Sequence, residues 1–157
     1  MTGTIHAIGA GLVIAEIQQR SDATFRLFDH GRGRELHIDN AMAVADAGPA
    51  ALQVAPSRLG DGQTLLVSNT LFTFEKIDLV PNSAWRLEAK RETWLLVISG
   101  SARTGSFEVA MGDAVFAESD SVDIRTGSAG LSALLAYTGD VVPEVLQCVG
   151  VGTETIQ

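Results

Sequence analysis

From Thr64 onward the chain alternates short apolar runs with turn residues at a spacing of roughly 8–12 residues, the rhythm of an antiparallel sandwich or barrel. Strands are predicted near 64–69, 71–80, 84–89, 92–99, 102–110, 114–118, 121–126, 129–138 and 144–149. Pro81-Asn82-Ser83, Gly100, Gly105, Gly112-Asp113, Gly127 and Gly139-Asp140 supply the punctuation. Phe72 and Phe74 fall on one face at a period of two. Trp94-Leu95-Leu96-Val97-Ile98 is continuously apolar, which predicts a strand buried on both faces. The expected fold is mainly β: a closed antiparallel barrel or double-sheet jelly roll over about residues 64–149, with one short helix before it.

The N-terminal part has another texture. Gly9-Ala10-Gly11 reads as a turn, and Leu12 to Gln19 as a strand rich in β-branched residues. Ser21-Asp22 is a second turn, Thr24 to Asp29 an alternating strand, and Gly31-Arg32-Gly33 a break. Residues 39–47 predict the helix, with Asp39 capping its start and Gly48-Pro49 stopping it. Residues 48–63, dense in Gly, Pro, Ser and Asp, read as a linker or long surface loop.

Composition narrows the function classes. With 46% apolar and 19% charged residues the chain can bury a core. Its formal net charge of -8 argues against nucleic acid and anionic membranes, both of which need a basic surface. A phosphate ester is still permitted, because a few local arginines suffice to bind one. Cys148 is the single cysteine, so no intrachain disulfide can form, and its apolar neighbours Val145, Leu146 and Val149 predict a buried thiol. No apolar run reaches membrane-spanning length and no secretory leader is visible, so the expected location is the cytoplasm.

The candidate chemistry lies in the first 38 residues. His6, in Gly3-Thr4-Ile5-His6-Ala7-Ile8-Gly9, stands at the start of a predicted strand that could aim an imidazole at a metal. Arg26, between Phe25 and Leu27, either pairs with Glu16 on the neighbouring strand or binds a phosphate or sugar. Arg32 and Arg34 read as solvated loop charges. No phosphate-cradling loop or dinucleotide fingerprint occurs.

Together, Gly3 to Gly9, Ala15-Glu16-Ile17-Gln18-Gln19, Ser21 to Asp29 and Arg34-Glu35-Leu36-His37-Ile38 resemble the signature block of bacterial type I phosphomannose isomerases, enzymes of the cupin class. The strand-rich remainder is similar to their second, degenerate cupin. The resemblance implies three segments: 1–38 from a catalytic cupin, 39–63 a helix and linker, and 64–157 a metal-free cupin barrel. It implies interconversion of mannose 6-phosphate and fructose 6-phosphate through a cis-enediol, with His6 a zinc ligand, Arg26 catalytic and Glu16 in possible support. The family's remaining ligands, a Gln, a His and a Glu, lie upstream of the segment containing His6. Residues 39–157 contain no histidine, and Glu118, Asp120 and Asp123 stand at strand ends where a metal cupin holds histidine. One donor does not make a zinc site. The chain alone is therefore expected to be inactive, with zinc absent or substoichiometric. The competing expectation is a non-catalytic cupin-like binding or assembly module. Unpaired edges on strands 12–19 and 24–29 predict a homo-oligomer.

Overall fold

The computed structural model describes residues 4–18, 24–46, 48 and 55–151. The expected turn at Ser21-Asp22, the end of the first expected strand at Gln19, and Pro49 fall outside them. The chain divides into two units, Met1–Gln53 and Val54–Gln157.

The second unit is an antiparallel sheet of nine strands: β1 (Ser57–Gly60), β2 (Gln63–Ser68), β3 (Phe72–Leu79), β4 (Ser83–Ala89), β5 (Thr93–Thr104), β6 (Phe107–Ala110), β7 (Ala114–Ala117), β8 (Asp120–Thr138) and β9 (Leu146–Val151). The long strands β5 and β8 run through both halves of it. The C-terminal part of β8 pairs with β3 (Leu79↔Leu131 to Phe72↔Thr138), and its N-terminal part pairs with β4 (Ala89↔Asp120 to Ala84↔Arg125). On its other side β8 follows β5 throughout, with register slips between Val97 and Ser99 and between Gly100 and Ala102. Here the sheet curls. Gly100 and Gly130 both take positive φ, and a Cβ on Gly100 would run into the carbonyl oxygen of Gly130. Only glycine permits that approach. Gly100, expected to end a strand, thus lies inside β5 at the bend, opposite Gly130 inside β8.

One core draws on both halves. It includes Ile77 and Leu79 of β3, Trp85 and Leu87 of β4, Leu95 and Val97 of β5, Ile124, Leu131 and Leu135 of β8, and Leu146 of β9. The fold is mainly β and antiparallel, as the strand spacing predicts. The nine strands form one curled sheet.

Two local expectations need correction. Ser57–Gly60 is a strand paired with Gln63–Leu65 where a linker was expected, because the tight turn with Gly62 at φ 68 folds it back into a hairpin. In β5 burial alternates: Leu95 and Val97 are buried while Trp94 and Ile98 are exposed. On β3 the face carrying Phe72 and Phe74 is only half-buried, and the core face carries Thr73, Glu75, Ile77 and Leu79.

Glu75 is the one carboxylate fully enclosed in this unit's described residues. It accepts a hydrogen bond from the Tyr137 hydroxyl (2.5 Å) and one from the Gln63 amide (3.2 Å). Burial pushes its pKa up, and these two donors only partly offset that. The Tyr137 hydroxyl is pushed up too, by burial and by the adjoining carboxylate.

In the first unit the described residues form one helix, α1 (Ile38–Val44). Its N-cap is His37, without a side-chain cap hydrogen bond, and Asp39 lies in the first turn, where it favours the helix dipole and is not the cap. The helix ends at Val44, before an extended Ala45, and the expected last helical residue, Ala47, lies outside the described residues. Leu12–Gln18 and Thr24–Asp29 are not strands. Strand geometry needs a ladder partner, and no described segment supplies one.

Candidate functional site

The sequence places the chemistry between Thr4 and Ile38, where the backbone from Thr24 to His37 doubles back on itself. His30 and Gly31 both take positive φ at the tip, and the Arg32 N–H donates to the Asp29 carbonyl (3.1 Å). At the base, the His37 N–H donates to the Arg26 carbonyl (2.8 Å), and the Arg26 N–H donates to His37 Nδ1 (3.1 Å). His37 Nδ1 is thus an acceptor, which leaves the proton of the neutral ring on Nε2.

Asp29 sits at the centre of this hairpin and is buried. It accepts from the Arg34 backbone N–H (2.7 Å) and from Arg34 Nε (2.5 Å), and Arg26 Nε stands 3.8 Å away. Desolvation pushes the Asp29 carboxyl up. The Arg34 hydrogen bonds and the charges of Arg34 and Arg26 outweigh it and hold the pKa below the usual carboxylate value. Arg26 also donates from Nη1 to the Glu35 carbonyl (3.0 Å). A half-buried guanidinium held on two sides is a fixed cation, suited to an anionic sugar phosphate or a developing oxyanion.

Arg26 does not pair with Glu16. Asp29, three residues on, and the Glu35 carbonyl take that place, since both lie within the same hairpin. Glu16 is exposed. Arg34 is not a free loop charge but the clamp on Asp29. The signal for this cluster was available in the i,i+3 spacing of Arg26 and Asp29 and in the Gly31/Gly33-flanked reversal that returns Arg34 to Asp29. His6 is exposed, and its Nδ1 lies 3.4 Å from the Thr4 carbonyl. His30 packs edge-on against Phe28.

Among the described residues no three His, Cys, Asp or Glu side chains come together as a metal requires. His6 is a single donor, and His37 Nδ1 is already engaged. These residues do not by themselves fit a zinc centre.

In the second unit, Arg103, Asp120, Ser121, Asp123 and Arg125 line an open cleft of about 540 Å³. Asp123 is paired with Arg86 at 2.9 Å, and the lining carries as many carboxylates as guanidiniums. Glu118 is exposed. Cys148 is exposed on β9, where a buried thiol was expected. Past Leu146 that strand lies at the sheet edge with its residues exposed. No helix among the described residues is long and apolar enough to cross a membrane.

Comparison with known proteins gives no matching family model. The mannose-6-phosphate isomerase of Streptococcus mutans is 42% identical over 84 residues, 48% of this chain and 26% of that protein. Mannose-6-phosphate isomerase ManA of Bacillus subtilis is 43% identical over 51 residues, 29% of this chain and 16% of that protein. Among solved structures, ectoine synthase from P. lautus aligns with a TM-score of 0.49 at 7% identity, over 62% of this chain and 84% of that one. Oxalate decarboxylase of B. subtilis aligns with a TM-score of 0.48 at 20% identity, over 74% of this chain and 39% of that one. The aligned stretches span only a minor share of the curated relatives, and over them the chain is similar to mannose-6-phosphate isomerases, the family its first 38 residues resemble.

Proposed function

We propose that this chain is the C-terminal portion of a mannose-6-phosphate isomerase, in which the hairpin of Arg26 contributes to the sugar-phosphate site and the β unit is a scaffold without a metal. The observation that carries the reading is the 42–43% identity to two such isomerases. Aldose–ketose isomerisation moves a proton between C1 and C2 and develops negative charge on oxygen. Arg26, fixed by Asp29 and the Glu35 carbonyl, serves that charge or the phosphate. Arg34 holds Asp29 and so positions Arg26 without touching the substrate. His6 is the residue that would be a metal donor. The described residues do not complete a zinc centre. Location in the cytoplasm accompanies the reading.

The test is a titration of the purified chain with fructose 6-phosphate and with fructose, followed by NMR at the Arg26 and Arg34 amides. Shifts with the phosphorylated sugar only, lost in Arg26→Ala, support the reading; no shift with either sugar overturns it. In a coupled assay the chain alone is expected to give no isomerisation, with or without zinc. Stoichiometric zinc with turnover abolished by His6→Ala would show instead that the chain is sufficient as an enzyme.

A further inference from the structure

We propose that His37 is a positioning residue for Arg26: its neutral ring locks the base of the hairpin, and uptake of a second proton by that ring unlocks it. This role rests on the sugar-phosphate reading of Arg26 and adds the device that holds it. Two residues paired across an antiparallel ladder can exchange both of their N–H···O bonds. Arg26 and His37 make one of the two, from the His37 N–H to the Arg26 carbonyl at 2.8 Å. The His37 carbonyl does not return the other. With ψ at 51° it is turned into helix α1, where it accepts the Ala41 N–H at 2.8 Å. The Arg26 N–H would be left without a partner, and the imidazole supplies one, Nδ1 at 3.1 Å. Residue 37 thus starts the helix with its carbonyl and closes the hairpin with its side chain. The edge-to-edge association expected from strands 12–19 and 24–29 loses its basis, because the described residues of those segments are not strands.

The lock reaches the guanidinium through register. Arg26 Nη1 donates to the Glu35 carbonyl, which stands on the opposite limb two residues from His37. Releasing His37 frees that limb at the base and takes the carbonyl out of line. Arg26 then keeps Asp29 of its own limb, 3.8 Å from Nε. The tip is a separate tie, since Arg34 holds Asp29 from across the turn. The switch itself is elementary ring chemistry. A neutral imidazole has one acceptor nitrogen, whereas a protonated one has two donors and no acceptor, so flipping the ring restores nothing. A hydrogen on Nδ1 faces the hydrogen of the Arg26 amide, and the bond is lost. The charged and titratable groups of the hairpin are Arg26, Asp29, Arg34 and Glu35, with His30 and Arg32 at the tip, and α1 contributes Asp39. Among the described residues none of these side chains makes a hydrogen bond or ion pair with the His37 ring, whose polar partner is the Arg26 backbone.

The experiment is NMR of the full chain from about pH 8 to about pH 5, the span in which imidazoles change charge. The ring nitrogen shifts of His37 report its charge and tautomer, and hydrogen exchange reports the Arg26 amide. Protection of that amide should fall about three- to tenfold as the ring takes its second proton, the worth of one hydrogen bond, while the Arg34 amide at the tip stays protected. His37→Phe keeps a ring that can pack on Phe25 but has no acceptor, so its Arg26 amide should exchange at the acid rate across the whole span. His37→Asn offers an acceptor oxygen near the place of Nδ1 and takes up no proton, so it should restore protection and remove the pH dependence. At the high-pH end, affinity for fructose 6-phosphate should drop about three- to tenfold in His37→Phe and return in His37→Asn. The phosphate of the sugar also titrates in this span, equally for all three proteins. An Arg26 amide that stays protected when the ring is charged, or in His37→Phe, overturns the lock. A lock that opens while His37→Phe binds fructose 6-phosphate as the parent does overturns the positioning role. An amide that follows the ring in a chain that binds no fructose 6-phosphate at any pH sinks the sugar-phosphate reading and leaves the lock standing.

Discussion

Leu12-Val13-Ile14 and Leu95-Leu96-Val97 are much alike as sequence, both short apolar runs of the kind strands are made from. In the β unit, Leu95 and Val97 are buried to within 2% between paired strands; in the N-terminal unit, Val13 is fully exposed and no ladder forms around it. The difference teaches that β-branched composition permits a strand but does not create one. A strand is stabilised when its backbone groups find partners and one face finds a core. The β unit closes around buried side chains. The Arg26 hairpin closes around a carboxylate and two guanidiniums.

The sharpest way to break this comparison is to cut side chains in both places. Ile77→Ala, at a completely buried position, should cost about 2–5 kcal/mol in urea or thermal unfolding of the β unit, from lost burial and the cavity left behind. Val13→Ala should change stability by less than about 0.5 kcal/mol. Equal effects would show that Leu12–Ile14 is buried in solution and that the contrast is wrong. Gly100→Ala belongs with the large effects, because its Cβ meets backbone and its φ is positive.

A second test uses Glu75. Its pKa is higher in the folded than in the unfolded chain, so its contribution is full below the unfolded value and is lost as pH rises through the folded value. The β unit should therefore lose stability as pH climbs above the ordinary carboxylate range, and Glu75→Gln should flatten that slope. Tyr137→Phe removes the closer donor to a buried carboxylate. It should cost about 1–3 kcal/mol and steepen the slope. A pH-independent stability in both the parent and Tyr137→Phe would show that the carboxyl is solvated.

The sequence was legible where periodicity meets a partner. The strands of the β unit emerged at nearly their observed positions because turn residues bound them and alternation marks their faces. It was less legible where one residue type serves two ends. Gly100 and Gly127 read as strand ends because glycine usually ends strands, yet they lie inside β5 and β8, at and beside the bend. The apolar run at Trp94 read as doubly buried because composition cannot tell a core face from an exposed apolar one. In the site region Arg26 was visible as an arginine among apolar residues. Its partner was missed, because choosing Asp29 over Glu16 requires reading the Gly31/Gly33 reversal in place of a strand neighbour.

The smallest effect expected separates the two regions by sign. Asp29 has its pKa lowered by Arg34 and Arg26, the reverse of Glu75. Its contribution is present above the unfolded value and is lost as pH falls through the folded one, so the hairpin should loosen in acid while the β unit does not. The effect is modest because Arg34 is half exposed and water and salt screen the pair. It is best read locally, as the protection of the Arg34 amide from hydrogen exchange and as the titration of the Asp29 carboxyl carbon by NMR. Asp29 should titrate below a free aspartate, and Arg34→Gln should return it toward the ordinary value. Added salt should do the same in part. If Asp29 titrates as a free aspartate and the Arg34 amide is unprotected at neutral pH, the hairpin is not held by this carboxylate. Arg26 would then have lost the group that fixes it, and the proposed role of the hairpin in binding a sugar phosphate would lose its geometric basis.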